Sequence, residues 1–162
     1  MQKSFWNLMV QTKASVLYLE IYAEKMYLSE RNINVFCAIA SSASIASWAI
    51  WSEISFLWGL IIAISQVLNS VKEFFPFAKK LKLLKQFDEG MKEVYISMEQ
   101  DWFRVANGEL TEKEINALLT KYKRKVAELE SEYLDEDVLV EKSAYMEEAD
   151  KKCNIYFERY FS

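Results

Sequence analysis

The chain has 162 residues, 52% of them hydrophobic and 27% charged, with a formal net charge of -4 and a pI near 5.1. One Pro and three Gly leave little material for the tight turns of a strand-rich fold, so long helices are expected. The acidic balance speaks against nucleic acid as a partner, and a chain without His and with only two distant Cys cannot assemble the usual zinc constellations.

Residues 4–31 carry Trp6, Met9, Val10, Leu17, Ile21 and Leu28 at a spacing compatible with an amphipathic helix. Few Lys occupy it, which favours packing on other helices over electrostatic attachment to lipid. Two charge-free runs follow. Residues 32–52 read NINVFCAIASSASIASWAIWS and residues 54–71 read ISFLWGLIIAISQVLNSV, each close to the ~20 residues that a ~30 Å hydrocarbon layer requires of a helix. With only Trp51, Ser52 and Glu53 between them, they are expected to form an antiparallel transmembrane hairpin over residues 32–75.

The flanking charges give an orientation. Lys3, Lys13, Lys25 and Arg31 precede the hairpin, Lys72, Lys79, Lys80, Lys82 and Lys85 follow it, and its loop has neither Lys nor Arg. The positive-inside rule then places both termini in the cytoplasm. Trp48, Trp51 and Trp58 near the loop, and Phe74, Phe75 and Phe77 near the other end, suit interface aromatics. A signal peptide is excluded by the thirty amphipathic residues that come first. The competing topology is a hairpin buried in a soluble helical domain, since the first run is rich in Ser and Ala.

Pro76 is expected to kink or restart the chain, and residues 77–105 to form a helix with a basic collar at Lys79, Lys80, Lys82 and Lys85. Asn107 and Gly108 break the pattern, and Thr111 with Glu114 is the signature of a capping box that opens the next helix. That helix places Ile115, Leu118, Leu119, Tyr122, Val126, Leu129 and Tyr133 on one stripe. After a break near residues 135–137, a last helix presents Leu139, Tyr145, Met146, Ala149, Cys153 and Tyr156. The expected fold is therefore all-α: an N-terminal helix (1–31), a transmembrane hairpin (32–75) and a cytoplasmic helical region (76–162), the outer two forming a bundle.

Polar groups inside the runs are the candidate functional residues, because hydrocarbon does not tolerate them unless they face protein or water. Asn34, Cys37 and Ser41 share one stripe of the first run with Ser44 at its margin; Ser55, Gly59, Gln66, Asn69 and Glu73 share one on the second. Ser55, Gly59 and Ala63 repeat every four residues, a spacing suited to close helix packing, while the stripes as a whole suit the lining of an oligomeric pore. No catalytic, cofactor-binding or metal-ligating set is expected, and both Cys read as free thiols. The alternating Glu128, Glu130 and Glu132 read as a solvated helix face.

The order of parts, with an amphipathic helix ending YAEKMYLSERN, a close-set pair of apolar runs and a long helical region ending CNIYFERYF, resembles the SLATT family of bacterial two-transmembrane proteins. The resemblance spans nearly the whole chain. It implies a homo-oligomeric effector of an antiviral, nucleotide-signalling system that perforates the inner membrane and aborts infection, with the lipid bilayer as partner and a separate sensor or regulatory protein. The family has no catalytic motif to carry over. The other function weighed is a scaffold or adaptor, anchored by the hairpin, whose helical bundle docks a partner without forming a pore.

Overall fold

The structure, a computed structural model, describes residues 1–47, 55–74, 77–134 and 139–161. Five helices account for nearly all of them: α1 (Gln2–Ser47), α2 (Ser55–Phe74), α3 (Phe77–Ala106), α4 (Glu112–Tyr133) and α5 (Ser143–Tyr160). They divide into two compact units, one of Met1–Ala23 with Lys82–Ser162 and one of Glu24–Leu81. The division does not follow the helix ends, since α1 and α3 each contribute to both.

The first unit is a helical bundle whose seams can be read as heptads. On α1 the seam runs through the buried Phe5, Met9, Thr12, Val16 and Leu19, with Tyr18 and Ile21 buried beside it; on α3 it runs through Leu84, Phe87, Met91, Val94, Met98 and Val105, with Asp88 and Tyr95 buried beside it. Alternating steps of three and four keep one stripe of a 3.6-residue helix facing its neighbours, the pattern of helices packed at small angles. On α4, Ile115, Leu119 and Tyr122 are buried and Leu118, Val126, Leu129 and Tyr133 pack at the margin. α5 adds Ala149 and Cys153. Phe5 lies at the centre of an aromatic group, 6.1 Å from the Tyr122 ring edge-on and 6.3 Å from Trp102 stacked.

Local chemistry sets the helix ends. Gly108 has φ +71°, its N–H donates to the Val105 carbonyl, and the Glu109 N–H donates to the Arg104 carbonyl. This paired closure satisfies the last carbonyls of α3 and requires a residue at ease in the left-handed region. Thr111 then caps α4. Its N–H and hydroxyl donate to the Glu114 carboxylate at 2.7 Å each, and its Oγ1 accepts from the Glu114 N–H at 3.4 Å. In mid-helix, Gly90 stands against α4: a Cβ there would lie 2.7 Å from Leu129 Cδ2.

The membrane expectation is corrected. Among the described residues no helix is long and apolar enough to cross a membrane, which overturns the transmembrane hairpin and the placement in an inner membrane with both termini cytoplasmic. The composition shows why. The end of α1 carries Ser41, Ser42, Ser44 and Ser47, and α2 reaches Gln66 after eleven residues, roughly 16 Å of helix against a ~30 Å hydrocarbon layer. Gln66, Asn69 and Ser70 then precede Lys72 and Glu73. The boundary expected near residue 31 falls inside a continuous α1. The loop at 51–53, the kink at Pro76 and the break at 135–137 lie outside the described residues.

Candidate functional site

In the second unit α1 and α2 pack through small side chains. Cys37, Ala40 and Ser65 are all buried, the Cys37 thiol donates to the Ser65 carbonyl at 3.9 Å, and the Ser65 hydroxyl turns back onto the Ile62 carbonyl at 2.8 Å. Ser65 is thus satisfied by backbone and lets the neighbouring helix come close. Ile61, Ile62 and Leu68 are half-buried beside it.

The other described side chains of α2 face outward in two strips. One is apolar: Phe56, Leu57, Leu60, Ile64 and Val67 are exposed, Phe56 at 84% and Val67 at 62%. Leu57, Leu60, Ile64 and Val67 follow steps of three, four and three, the spacing with which a helix meets another helix. The other strip is polar or small, with Gly59, Ala63, Gln66, Asn69 and Ser70. In the bundle, by contrast, the heptad positions are covered. Among the described residues no helix covers the apolar strip of α2, and contiguous exposed apolar surface on this scale marks an interaction site.

Of the residues singled out in the sequence, Gly59, Gln66 and Asn69 stand together on the exposed polar strip of α2, and Asn34 is exposed on α1. Among the described residues nothing lies within 4 Å of a Cβ built at Gly59. Ser41, Ser44, Ser55 and Glu73 lie on the helices, with their backbone alone described. Sequence reasoning missed the apolar seam because it assigned helix contacts to the polar and small stripes and left the apolar faces of both runs to lipid. The signal available was the three-four-three spacing, which a lipid-facing helix does not need.

Three polar networks tie the bundle together. Lys92 bridges Glu20 at 2.7 Å and Asp88 at 2.8 Å. Burial holds the Asp88 carboxyl above the usual aspartate range, partly offset by Lys92, and its Oδ1 is buried without a hydrogen-bond partner. Burial alone would lower Lys92, but its bonds to the two carboxylates raise it. In the second network Glu99 accepts from both Tyr95 (3.2 Å) and Tyr156 (2.9 Å), with Lys13 over the two rings at 4.7 and 4.1 Å. Burial, followed by hydrogen bonding, pushes the Tyr95 phenol far up. In the third, Tyr122 donates to Asp101 at 2.7 Å.

None of these networks pairs an activated nucleophile with a base. The Cys153 thiol is buried, is pushed up by desolvation and donates to the Val10 carbonyl at 3.7 Å, the opposite of the low-pKa, accessible setting a reactive thiolate needs. Among the described residues no group of His, Cys, Asp or Glu is placed to hold a metal ion. The bundle does contain a half-open cleft of about 460 Å³ between α1, α3, α4 and α5. No family model, no curated protein and no solved structure matches this chain.

Proposed function

We propose that the chain is a non-catalytic assembly protein whose α2 seam docks against the same seam of a second copy. The observation that carries this reading is the three-four-three row Leu57, Leu60, Ile64 and Val67, exposed on a helix whose opposite face is already packed. By area, five exposed side chains at on the order of 100 Å² each present ~400–500 Å² per copy, and two copies approach the ~1,000 Å² expected of a specific interface. The strip carries no charge, so two identical strips meet without repulsion. A two-fold contact uses the same patch on both partners, the commonest way for a self-complementary surface to close. Of the functions weighed from sequence, this favours docking through helices over conduction, which would need membrane-crossing helices.

The test is the double substitution Leu60→Lys/Ile64→Lys, which puts two cations on the seam without touching the buried faces. Sedimentation of the wild type should show a concentration-dependent dimer, and the variant should weaken it at least ~100-fold, about 2.7 kcal/mol, with unchanged helical content. A wild type that stays monomeric at all concentrations would overturn the reading. So would a monomer that binds neutral phospholipid vesicles through these same two residues.

A further inference from the structure

We propose that the half-open cleft in the helical bundle binds a small cationic amphiphile, an apolar chain or ring system bearing a protonated amine. This inference is independent of the assembly reading, since every residue of the cleft belongs to the bundle unit and none to α2.

Its volume of about 460 Å³ lies in the ~300–1,000 Å³ range of small-molecule sites. The inner wall is apolar, formed by the buried Leu19, Phe87, Met91 and Ala149. The space stays open because α1 and α4 present Ala14, Ser15 and Ala127 where longer side chains would fill it. Two buried polar side chains are set into the wall, Thr12 and Tyr18; the Tyr18 hydroxyl is already engaged by backbone, accepting from the Lys142 N–H at 3.1 Å and donating to the Val140 carbonyl at 3.5 Å. Thr12 is 4% exposed, and its hydroxyl donates to the Leu8 carbonyl at 2.9 Å. With its proton so engaged, the oxygen faces a ligand as an acceptor.

The mouth decides the charge. Glu130, Glu141 and Asp150 line it against a single cation, Lys123, and among the described residues no ion pair ties these carboxylates to a cation. The carboxylates and the engaged Thr12 hydroxyl accept hydrogen bonds, and three carboxylates outweigh the one ammonium of Lys123, so the complementary head group carries N–H donors and positive charge. An apolar wall beneath an acidic mouth selects an alkyl- or arylammonium and disfavours a fatty-acid carboxylate or a phosphate ester, which would meet like charge.

Calorimetric titration with decylammonium, decyl sulfate and decanol below their micellar concentrations tests this. It is run on the full chain in the Leu60→Lys/Ile64→Lys background, which removes the α2 seam as a competing apolar surface. Decylammonium should bind saturably at one site per chain and at least ~10-fold more tightly than decyl sulfate. Ser15→Trp, at an exposed lining position, should plug the mouth and cost ~10-fold or more in affinity with an unchanged circular dichroism spectrum. Glu130→Gln/Asp150→Asn should narrow the preference for ammonium over sulfate while leaving decanol unaffected. Equal affinity for the two charged probes would overturn the proposal, and so would ammonium binding undiminished in both Ser15→Trp and Ala127→Trp.

Discussion

Substituting Gly90 tests the closest approach in the bundle. In a helix interior Ala is favoured over Gly by ~1 kcal/mol, because Gly leaves more backbone freedom in the unfolded chain. At this site, however, the new Cβ meets Leu129 Cδ2 at 2.7 Å and Cδ1 at 3.2 Å, with Cγ at an ordinary 3.5 Å. The clash is with a side chain already packed on the core, where overpacking costs ~1–3 kcal/mol. Gly90→Ala should therefore lower stability by about 1 kcal/mol net, and the melting temperature by roughly 2–4 °C. In a Leu129→Ala background the obstruction is gone, and the same change should raise stability by about 1 kcal/mol. Urea denaturation of the four variants, followed by helical ellipticity, gives a coupling of about 2 kcal/mol. Equal gains in both backgrounds would refute the argument, since Leu129 would then swing aside freely and the glycine would not be explained by close packing.

Three further predictions concern the cap of α4 and the charge of buried and capping carboxylates. Thr111→Ala should cost about 1 kcal/mol by uncapping α4. Hydrogen bonds from the Thr111 side chain and backbone hold the Glu114 carboxyl below its usual range. A carboxyl lowered on folding stabilises above its unfolded pKa and loses that contribution as pH falls through the folded one. The difference between wild type and Glu114→Gln should therefore disappear under acid conditions below the ordinary glutamate range, and a difference persisting there would count against the cap. Asp88 has the opposite sign: burial raises its carboxyl, so its ionisation subtracts stability as pH rises through the unfolded and then the folded pKa. Asp88→Asn, with Lys92 still held by Glu20, should gain up to about 1 kcal/mol at neutral pH, an advantage that fades below the usual aspartate range. A loss in neutral urea denaturation would mean that the Lys92 pairing outweighs desolvation.

Much of the bundle is legible in the chain because its signals are local. The Asn107–Gly108 stop and the Thr111–Glu114 cap each depend on a few consecutive residues, and both form as the sequence indicates. The α4 stripe is equally direct: Ile115, Leu119 and Tyr122 are buried. Of the stripe expected on α1, Met9 and Ile21 are buried, whereas Trp6, Val10, Leu17 and Leu28 are half-buried beside the seam through Phe5, Met9, Thr12, Val16 and Leu19. With aromatic and aliphatic residues nearly all round that helix, periodicity does not single out one face; the partners do.

What the sequence determines by itself is helical content, the stop of α3, the cap of α4 and the face of α4, since these follow from composition, capping and spacing over one or two turns. Tertiary structure alone decides the fate of the two apolar runs, because an uncharged stretch of ~20 residues satisfies lipid and a protein partner alike. Whether Ser65 meets Cys37, whether Leu60 stands open, and whether Ala14 and Ala127 leave a cleft depend on which helices come together. That is a property of contacts between residues far apart in the chain, and no local pattern encodes it.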